Sequence, residues 1–176
     1  MSRKRFNRRG LSPVIATVIL VAVTIVVAVA IAYWMGGIAG LYTRYEQLEI
    51  VYANAVWNSD NEYWEITLKV KNKGSAAATI DDILLNGISI SNVKNDSNYA
   101  NVKDCGTNAP TSGNFSIANA SVPVNIALNG GAEKYLAITL PNEAVMGSST
   151  ASSGLSLEIK LHTAAGREYP KLISLP

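Results

Sequence analysis

The chain has 176 residues, with 15 Lys and Arg against 13 Asp and Glu, and a formal net charge of +2. Five of the basic residues lie among the first ten, so residues 11–176 carry 10 basic and 13 acidic side chains, a net charge of −3. This balance argues against a nucleic-acid-binding body, and a single cysteine, Cys105, excludes an intrachain disulfide.

The first predicted element is a long apolar segment, because residues 11–43 contain no charged side chain. Its length of 33 residues exceeds the 7–15 apolar residues of a secretory signal peptide, although Gly36 to Gly40 offer a small-residue cleavage site. A plain signal anchor is a second interpretation, in which the basic tip stays in the cytoplasm and the rest of the chain faces outward. A third interpretation depends on the junction between the charges and the apolar segment.

At that junction, Ser12 and Pro13 have the side chains typical of a helix N-cap and of the first helical position. The helix therefore begins at the edge of the apolar run, and Gly10 is left in an extended spot where a peptidase can bind. The junction consists of Arg8-Arg9-Gly10 followed by Leu11-Ser12-Pro13-Val14-Ile15-Ala16-Thr17-Val18. This pattern resembles the class III signal peptide of archaeal type IV pilins. The resemblance is specific over residues 8–40 and only suggestive beyond them.

The resemblance implies that a prepilin peptidase recognises Arg8 and Arg9 and cuts between Gly10 and Leu11. Bacterial pilins usually carry a glutamate at the fifth mature position, where this chain has Ile15. Archaeal members commonly lack that glutamate, so assembly would depend on packing alone. Residues 1–10 are thus expected to be a cleaved signal peptide, and residues 11–48 a transmembrane and filament-core helix.

A stripe of small side chains at four-residue steps runs along the predicted helix. The stripe contains Thr24, Ala28, Ala32, Gly36 and Gly40. Small residues at this spacing let helix backbones approach closely in a bundle. We therefore expect the stripe to be a helix–helix packing surface.

From residue 49 the pattern changes to strands. Trp64, Ile66, Leu68 and Val70 alternate with polar residues, which predicts a half-buried strand. The segment of residues 48–57 is either the helix end or a first strand. Asn86-Gly87, Asn129-Gly130-Gly131 and the turn at residues 164–167 predict three hairpins. Residues 49–176 are expected to form an antiparallel sandwich.

Residues 91–121 are rich in Asn, Ser, Gly and Ala, lack a clear periodicity and are expected to form a long loop insertion. Three N-glycosylation sequons begin at Asn95, Asn114 and Asn119. Their clustering in one stretch of an outward-facing domain makes all three candidates for glycosylation.

The sequence shows no catalytic, metal or cofactor site. His162 is the single histidine, and it lies in a predicted strand. Asp81 and Asp82 are expected to form a polar turn, because adjacent strand residues point to opposite faces. Phosphate-binding glycine loops, a nucleophile elbow and a CxxC motif are absent from the sequence, so we expect no enzyme.

The pilin resemblance implies an α+β chain: a long N-terminal hydrophobic helix followed by an antiparallel immunoglobulin-like sandwich. It further implies a structural subunit of an adhesive surface filament. Expected partners are other copies of the chain, the prepilin peptidase, and the assembly membrane protein and ATPase. The precursor would insert in the membrane and then join an extracellular filament. An archaellin, or a membrane-tethered outward-facing module that binds, for instance, sugars, remain alternatives.

Overall fold

The computed structural model describes residues 13–42, 44–116 and 118–176. The expected cleavage site at Arg8 to Leu11 and the expected cap at Ser12 lie outside the described residues. The chain divides into two compact units, residues 1–43 and residues 44–176, and each is described separately below.

Helix α1 spans Pro13–Tyr42, which is 30 residues and about 45 Å at 1.5 Å per residue. Among residues 13–40 every side chain is exposed except Ile38, which is half-buried. The hydroxyls of Thr17 and Thr24 each donate 2.8 Å hydrogen bonds to backbone carbonyls three residues earlier, so even these polar groups are satisfied within the helix. Over residues 13–40 the surface of α1 is consequently apolar on all sides.

The expected helix end at Leu48 is wrong, because α1 ends at Tyr42 and the first strand begins at Leu48. Hydrogen bonds from the sandwich explain the early end. The amide of Ala76 donates to the carbonyl of Tyr45 at 3.0 Å, and the amide of Lys73 donates to the carbonyl of Gln47 at 2.7 Å. These tertiary bonds hold the backbone before Leu48 extended.

Two antiparallel sheets form the second unit, with a small separate hairpin. The four-stranded sheet has the order β1-β2-β7-β5, with β1 Leu48–Asn58, β2 Tyr63–Asn72, β7 Glu133–Pro141 and β5 Asn101–Asp104. The five-stranded sheet has the order β11-β10-β3-β4, with β11 Glu168–Ser174, β10 Ser156–Thr163, β3 Ala78–Leu85 and β4 Ile88–Ser89, and β6 Ile126–Leu128 also pairs with β3. The hairpin joins β8 Val145–Met146 to β9 Ser149–Thr150.

The core lies between the sheets. Trp64, Ile66, Leu68 and Val70 of β2 are all buried in it, which confirms the predicted alternation. From the other sheet, buried residues of β3 and β10 such as Ile83 and Ile159 join the same cluster. The predicted fold class, one apolar helix followed by an antiparallel sandwich, is confirmed.

Two of the three predicted hairpins are confirmed. Asn86 and Gly87, with φ of 48° and 83°, connect β3 to β4, and a turn at residues 164–167 connects β10 to β11. The third is wrong: the strands on either side of Asn129-Gly130-Gly131 belong to different sheets, since β6 pairs with β3 and β7 pairs with β2 and β5.

The buried side chain of Asn72 explains why that segment crosses between the sheets. Its amide nitrogen donates to the carbonyls of Ala76, at 2.8 Å, and Leu128, at 3.1 Å. Its backbone also exchanges 2.9 Å hydrogen bonds with Gly131 and Ala132. Asn72 therefore binds both sides of the turn and fixes the crossing.

Residues 91–121 are more ordered than the expected loop insertion. They contribute edge strand β5, and Phe115 is buried against Tyr63 and Ala137 in a cluster separate from the main core. Cys105 packs on this cluster, and burial raises the pKa of its thiol. The segment thus folds over the outer face of the four-stranded sheet.

Candidate functional site

The predicted packing stripe lies on the exposed surface of α1. Thr24, Ala28, Ala32, Gly36 and Gly40 are all exposed. Successive members at four-residue steps advance about 40° around the helix, so the row is inclined to the helix axis. An inclined row of small side chains is the surface that lets a second helix cross closely.

A short segment before β1 is bound tightly to the sandwich. The Glu46 carboxylate is buried and accepts a 2.6 Å hydrogen bond from the hydroxyl of Thr163, which is also buried. The Glu46 carbonyl accepts from the guanidinium of Arg167 at 3.2 Å. A Cβ added to Gly74 would meet the carbonyl oxygen of Tyr45 and lie 2.7 Å from the amide nitrogen of Gln47. Only glycine therefore fits at position 74.

Asp81 and Asp82 do not form the expected polar turn. They lie within β3, where His162 pairs with Asp82 and Thr163 pairs with Ile80, so Asp81 is the extra residue of a β-bulge. A bulge changes the alternation of side chains. Neither aspartate points into the core, and Asp81 accepts a 2.7 Å hydrogen bond from His162 Nδ1. The rule that adjacent strand residues point to opposite faces fails here.

The polar groups around the bulge are paired in a way that does not suit nucleophilic catalysis. The Ser89 hydroxyl donates to the Asp82 carboxylate at 2.8 Å, whereas His162 bonds to Asp81. A serine nucleophile would need the histidine as its base. A cavity of about 410 Å³ lies beside these residues. Within the described ranges, no three His, Cys, Asp or Glu side chains are grouped as metal ligands.

The three sequon asparagines differ in their surroundings. Asn95 is half-buried, its side-chain nitrogen donates to the carbonyl of Asn142 at 3.1 Å, and its oxygen accepts from the amide of Asn98 at 2.9 Å. It also lines a cavity of about 520 Å³. Asn114 is half-buried, and its side-chain oxygen accepts from the amide and hydroxyl of Thr111. Asn119 is exposed.

An aromatic cavity at one end of the sandwich was missed by sequence reasoning. Trp57 of β1 and Trp64 of β2 are cross-strand partners, with ring centroids 4.6 Å apart and planes inclined by 56°. Together with Asn142, Glu143, Ala151, Ser152, Ser153 and Pro176 they line a cavity of about 410 Å³. The buried indole N–H of Trp64 has no hydrogen-bond partner among the described residues. Such a donor costs about 1–3 kcal/mol.

Comparison with known proteins gives limited similarity. No family model and no curated protein matches the chain. Among solved structures, a chain of the Iho670 flagellar-like filament is similar at a TM-score of 0.42 and 16% identity, over 93% of this chain and 98% of that one. The archaellum periplasmic stator protein FlaG from Sulfolobus acidocaldarius is similar at a TM-score of 0.40 and 19% identity, over 73% of this chain and 100% of that one. At these TM-scores neither similarity assigns a function to this chain.

Proposed function

We propose that this chain is a structural, non-enzymatic subunit of an archaeal type IV pilus-like surface filament that serves adhesion. The observation that carries the proposal is α1, a 30-residue helix whose surface is apolar on all sides over residues 13–40. The sandwich closes its own core with side chains from its two sheets. The helix therefore requires lipid or other helices around it.

The length of α1 favours other helices as its final surroundings. The hydrocarbon core of a bilayer is about 30 Å thick, whereas α1 is about 45 Å long. An upright helix centred in the bilayer would place about five residues at each end among the lipid headgroups. Val14 and Ile15 would be among them. In a filament, packing against neighbouring copies would bury Val14, Ile15 and the other apolar side chains along the helix.

The N-terminal junction supports the same proposal. Pro13 begins α1 three residues after Gly10, as expected for a pilin that starts at Leu11. The precursor would span the membrane through residues 13–40, which are long and apolar enough to do so. Prepilin peptidase would remove residues 1–10. The assembly membrane protein and ATPase would then move the subunit into an extracellular filament.

Two other functions remain alternatives. An archaellin would use the same helix in a motility filament. A tethered binding module would keep the helix in the membrane and would use the aromatic cavity of the sandwich as its binding site.

The test is to shear filaments from the native host, image them by electron microscopy, and identify their subunit by mass spectrometry. N-terminal sequencing of the surface-exposed chain is the second measurement. We expect filaments composed of a chain that begins at Leu11. A start at Met1 in a chain confined to membranes would establish the tether. A start near Leu41 would establish a secreted domain instead.

A further inference from the structure

The aromatic cavity lies at the end of the sandwich that is remote from Leu48, where β1 begins. Trp57 is nine residues along β1 from Leu48, which is roughly 30 Å at 3.3 Å per residue. The cavity lies between the end of the β1–β2 hairpin and two loops, residues 142–144 and residues 151–153. Loops held by a rigid sheet are a common place for binding residues.

One indole of the cavity is accessible and the other supports it. Trp57 is 36% exposed, whereas Trp64 is 2% exposed and belongs to the main core. The contact at 4.6 Å between their ring centroids holds Trp57 in place. The cavity therefore has one apolar aromatic wall that is fixed before any ligand arrives.

The other walls are polar, and their backbone is held by hydrogen bonds. The amide of Asn142 donates to the carbonyl of Glu62 at 3.1 Å, and the amide of Glu143 donates to the carbonyl of Ala151 at 3.2 Å. The polar side chains in the lining are those of Asn142, Glu143, Ser152 and Ser153. The lining contains no Lys or Arg, so it does not attract an anion.

The buried N–H of Trp64 is a second, independent observation. It is a donor without an acceptor in the described part of the chain, and its ring lines the same cavity. Unpaired buried donors in native proteins call for an explanation, such as a water or a ligand. The N–H itself is closed off from solvent, so an acceptor in the cavity reaches it only when the lining shifts.

We propose that this cavity is a saccharide-binding site. A pyranose ring has one face of C–H groups, which the electron-rich face of an indole attracts, and a rim of hydroxyls. Trp57 stacks on the C–H face. Asn142, Ser152 and Ser153 accept hydrogen bonds from the hydroxyls and donate to them, and the Glu143 carboxylate accepts.

Other small ligands fit the lining less well. A quaternary ammonium ion is held by several aromatic faces around one point, whereas this cavity presents one accessible ring. A divalent cation would find a single side-chain carboxylate, that of Glu143. A purely apolar ligand would leave the amide and hydroxyl groups unpaired. The proposal depends on the sandwich alone and is independent of filament assembly.

The test uses the full chain carrying Trp34→Phe, which removes the helix tryptophan, in a polyoxyethylene detergent that has no sugar headgroup. The probes are the methyl pyranosides of glucose, galactose, mannose and N-acetylglucosamine, and linear trisaccharides of the same sugars. Saturation-transfer NMR measures binding, with tetramethylammonium as the probe for a cation site. We expect at least one sugar to bind, with its C–H protons receiving the saturation.

The variants separate this site from other surfaces. Trp57→Ala should weaken binding about tenfold, and Trp57→Phe, which keeps an aromatic face, should weaken it less. Tyr52→Ala is the matched control, because Tyr52 is an exposed aromatic residue of the same strand outside the cavity. Hydrogen exchange of the β2 amides verifies that each variant is folded.

Three results would overturn the proposal. The first is the absence of binding by every sugar of the panel. The second is equal sugar affinity in Trp57→Ala and the parent chain. The third is binding of tetramethylammonium without any sugar, which would make the cavity a cation site. Filament yield of Trp57→Ala should equal that of wild type, so failure of this proposal is distinguishable from failure of the filament proposal.

Discussion

The hydroxyl of Thr163 donates a 2.6 Å hydrogen bond to the carboxylate of Glu46, 117 residues away in the sequence, and both side chains are buried. Glu46 precedes β1, and Thr163 ends β10 of the other sheet. The pair therefore ties the segment before β1 to the five-stranded sheet.

Thr163→Val should destabilise the sandwich by about 1–3 kcal/mol, because the variant leaves a buried carboxylate without this donor. The measurement is urea unfolding of the full chain in detergent, in the Trp34→Phe background. Tryptophan fluorescence reports the fraction unfolded. Thr67→Val is the control, since Thr67 is half-buried on the outer face of β2 and the substitution is chemically the same. Equal free energies of unfolding for the two variants would show that the Thr163–Glu46 hydrogen bond contributes nothing.

Gly74→Ala should loosen the same segment by a different route. The added Cβ would lie 2.8 Å from Glu46 Cα and 2.7 Å from the Gln47 amide nitrogen, and both are backbone atoms that a rotamer change cannot move. We expect a loss of about 1–3 kcal/mol and faster hydrogen exchange of the Lys73 and Ala76 amides. Gly113→Ala is the matched control, because its Cβ meets nothing within 4 Å. Unchanged exchange at Lys73 and Ala76 in Gly74→Ala would contradict the close packing.

The stability of the sandwich should depend on the ionisation of His162. The hydrogen bond to Asp81 raises the pKa of His162, with smaller contributions from Glu168 and Asp82, against a lowering by partial burial. A raised folded-state pKa stabilises the fold below the unfolded value of about 6.5, and the stabilisation is lost as pH rises through the folded value. The free-energy difference between wild type and His162→Gln should therefore decrease with rising pH across this range.

NMR titration measures the His162 pKa directly, because an untagged chain contains one histidine. Asp81→Asn should return the pKa of His162 towards its usual value, since the carboxylate that stabilises the imidazolium is gone. The control is Asp60→Asn, a change of the same type at an exposed residue of the β1–β2 turn. A His162 titration that is identical in wild type and Asp81→Asn would contradict the role of this ion pair.

Sequence reasoning succeeds where one face of a strand packs on a core. The alternation of Trp64 to Val70 specifies β2 because each inward residue is buried in the core between the sheets. The Asn86-Gly87 hairpin was also predictable, since its turn residues determine their own geometry. Local signals failed at Asn129 to Gly131, where the long-range hydrogen bonds of Asn72 direct the chain into the other sheet.

The features around the candidate sites depend on similar long-range relationships. The bulge at Asp81 results from the pairing of β3 with β10, about eighty residues later, and no local pattern indicates it. The cavity at Trp57 needs a hairpin to bring two tryptophans together and two distant loops to close the walls. The sequence left residues 48–57 undecided between helix and strand, so this cross-strand pair was not predicted.

Asn119 should be glycosylated in preference to the other two sequon asparagines. Its side chain is exposed, whereas the side-chain nitrogen of Asn95, the atom that would carry the glycan, donates to the carbonyl of Asn142. Glycopeptide mass spectrometry of protein from the native host should therefore find Asn119 modified and Asn95 unmodified. The Asn119→Gln variant controls the assignment of the mass shift. A glycan on Asn95 with Asn119 bare would contradict the ranking by accessibility.

The last prediction separates the filament from the tether through the stripe on α1. Ala32→Leu keeps the helix hydrophobic, so insertion into the membrane and removal of residues 1–10 should persist. In a fibre, the larger side chain must fit against a neighbouring helix, and overpacking costs about 1–3 kcal/mol at each contact. Because every subunit repeats the contact, filament yield should decrease sharply.

Ala30→Leu is the matched control, because Ala30 lies two residues from both Ala28 and Ala32 and so about 200° around the helix from each. The measurement is the ratio of the chain in sheared filaments to the cleaved chain in membranes, for wild type and both variants. We expect a much lower ratio for Ala32→Leu than for Ala30→Leu. Equal ratios would show that the stripe is not at a tight helix–helix contact. A wild-type chain found only in membranes would favour the tether, for which both substitutions should be silent.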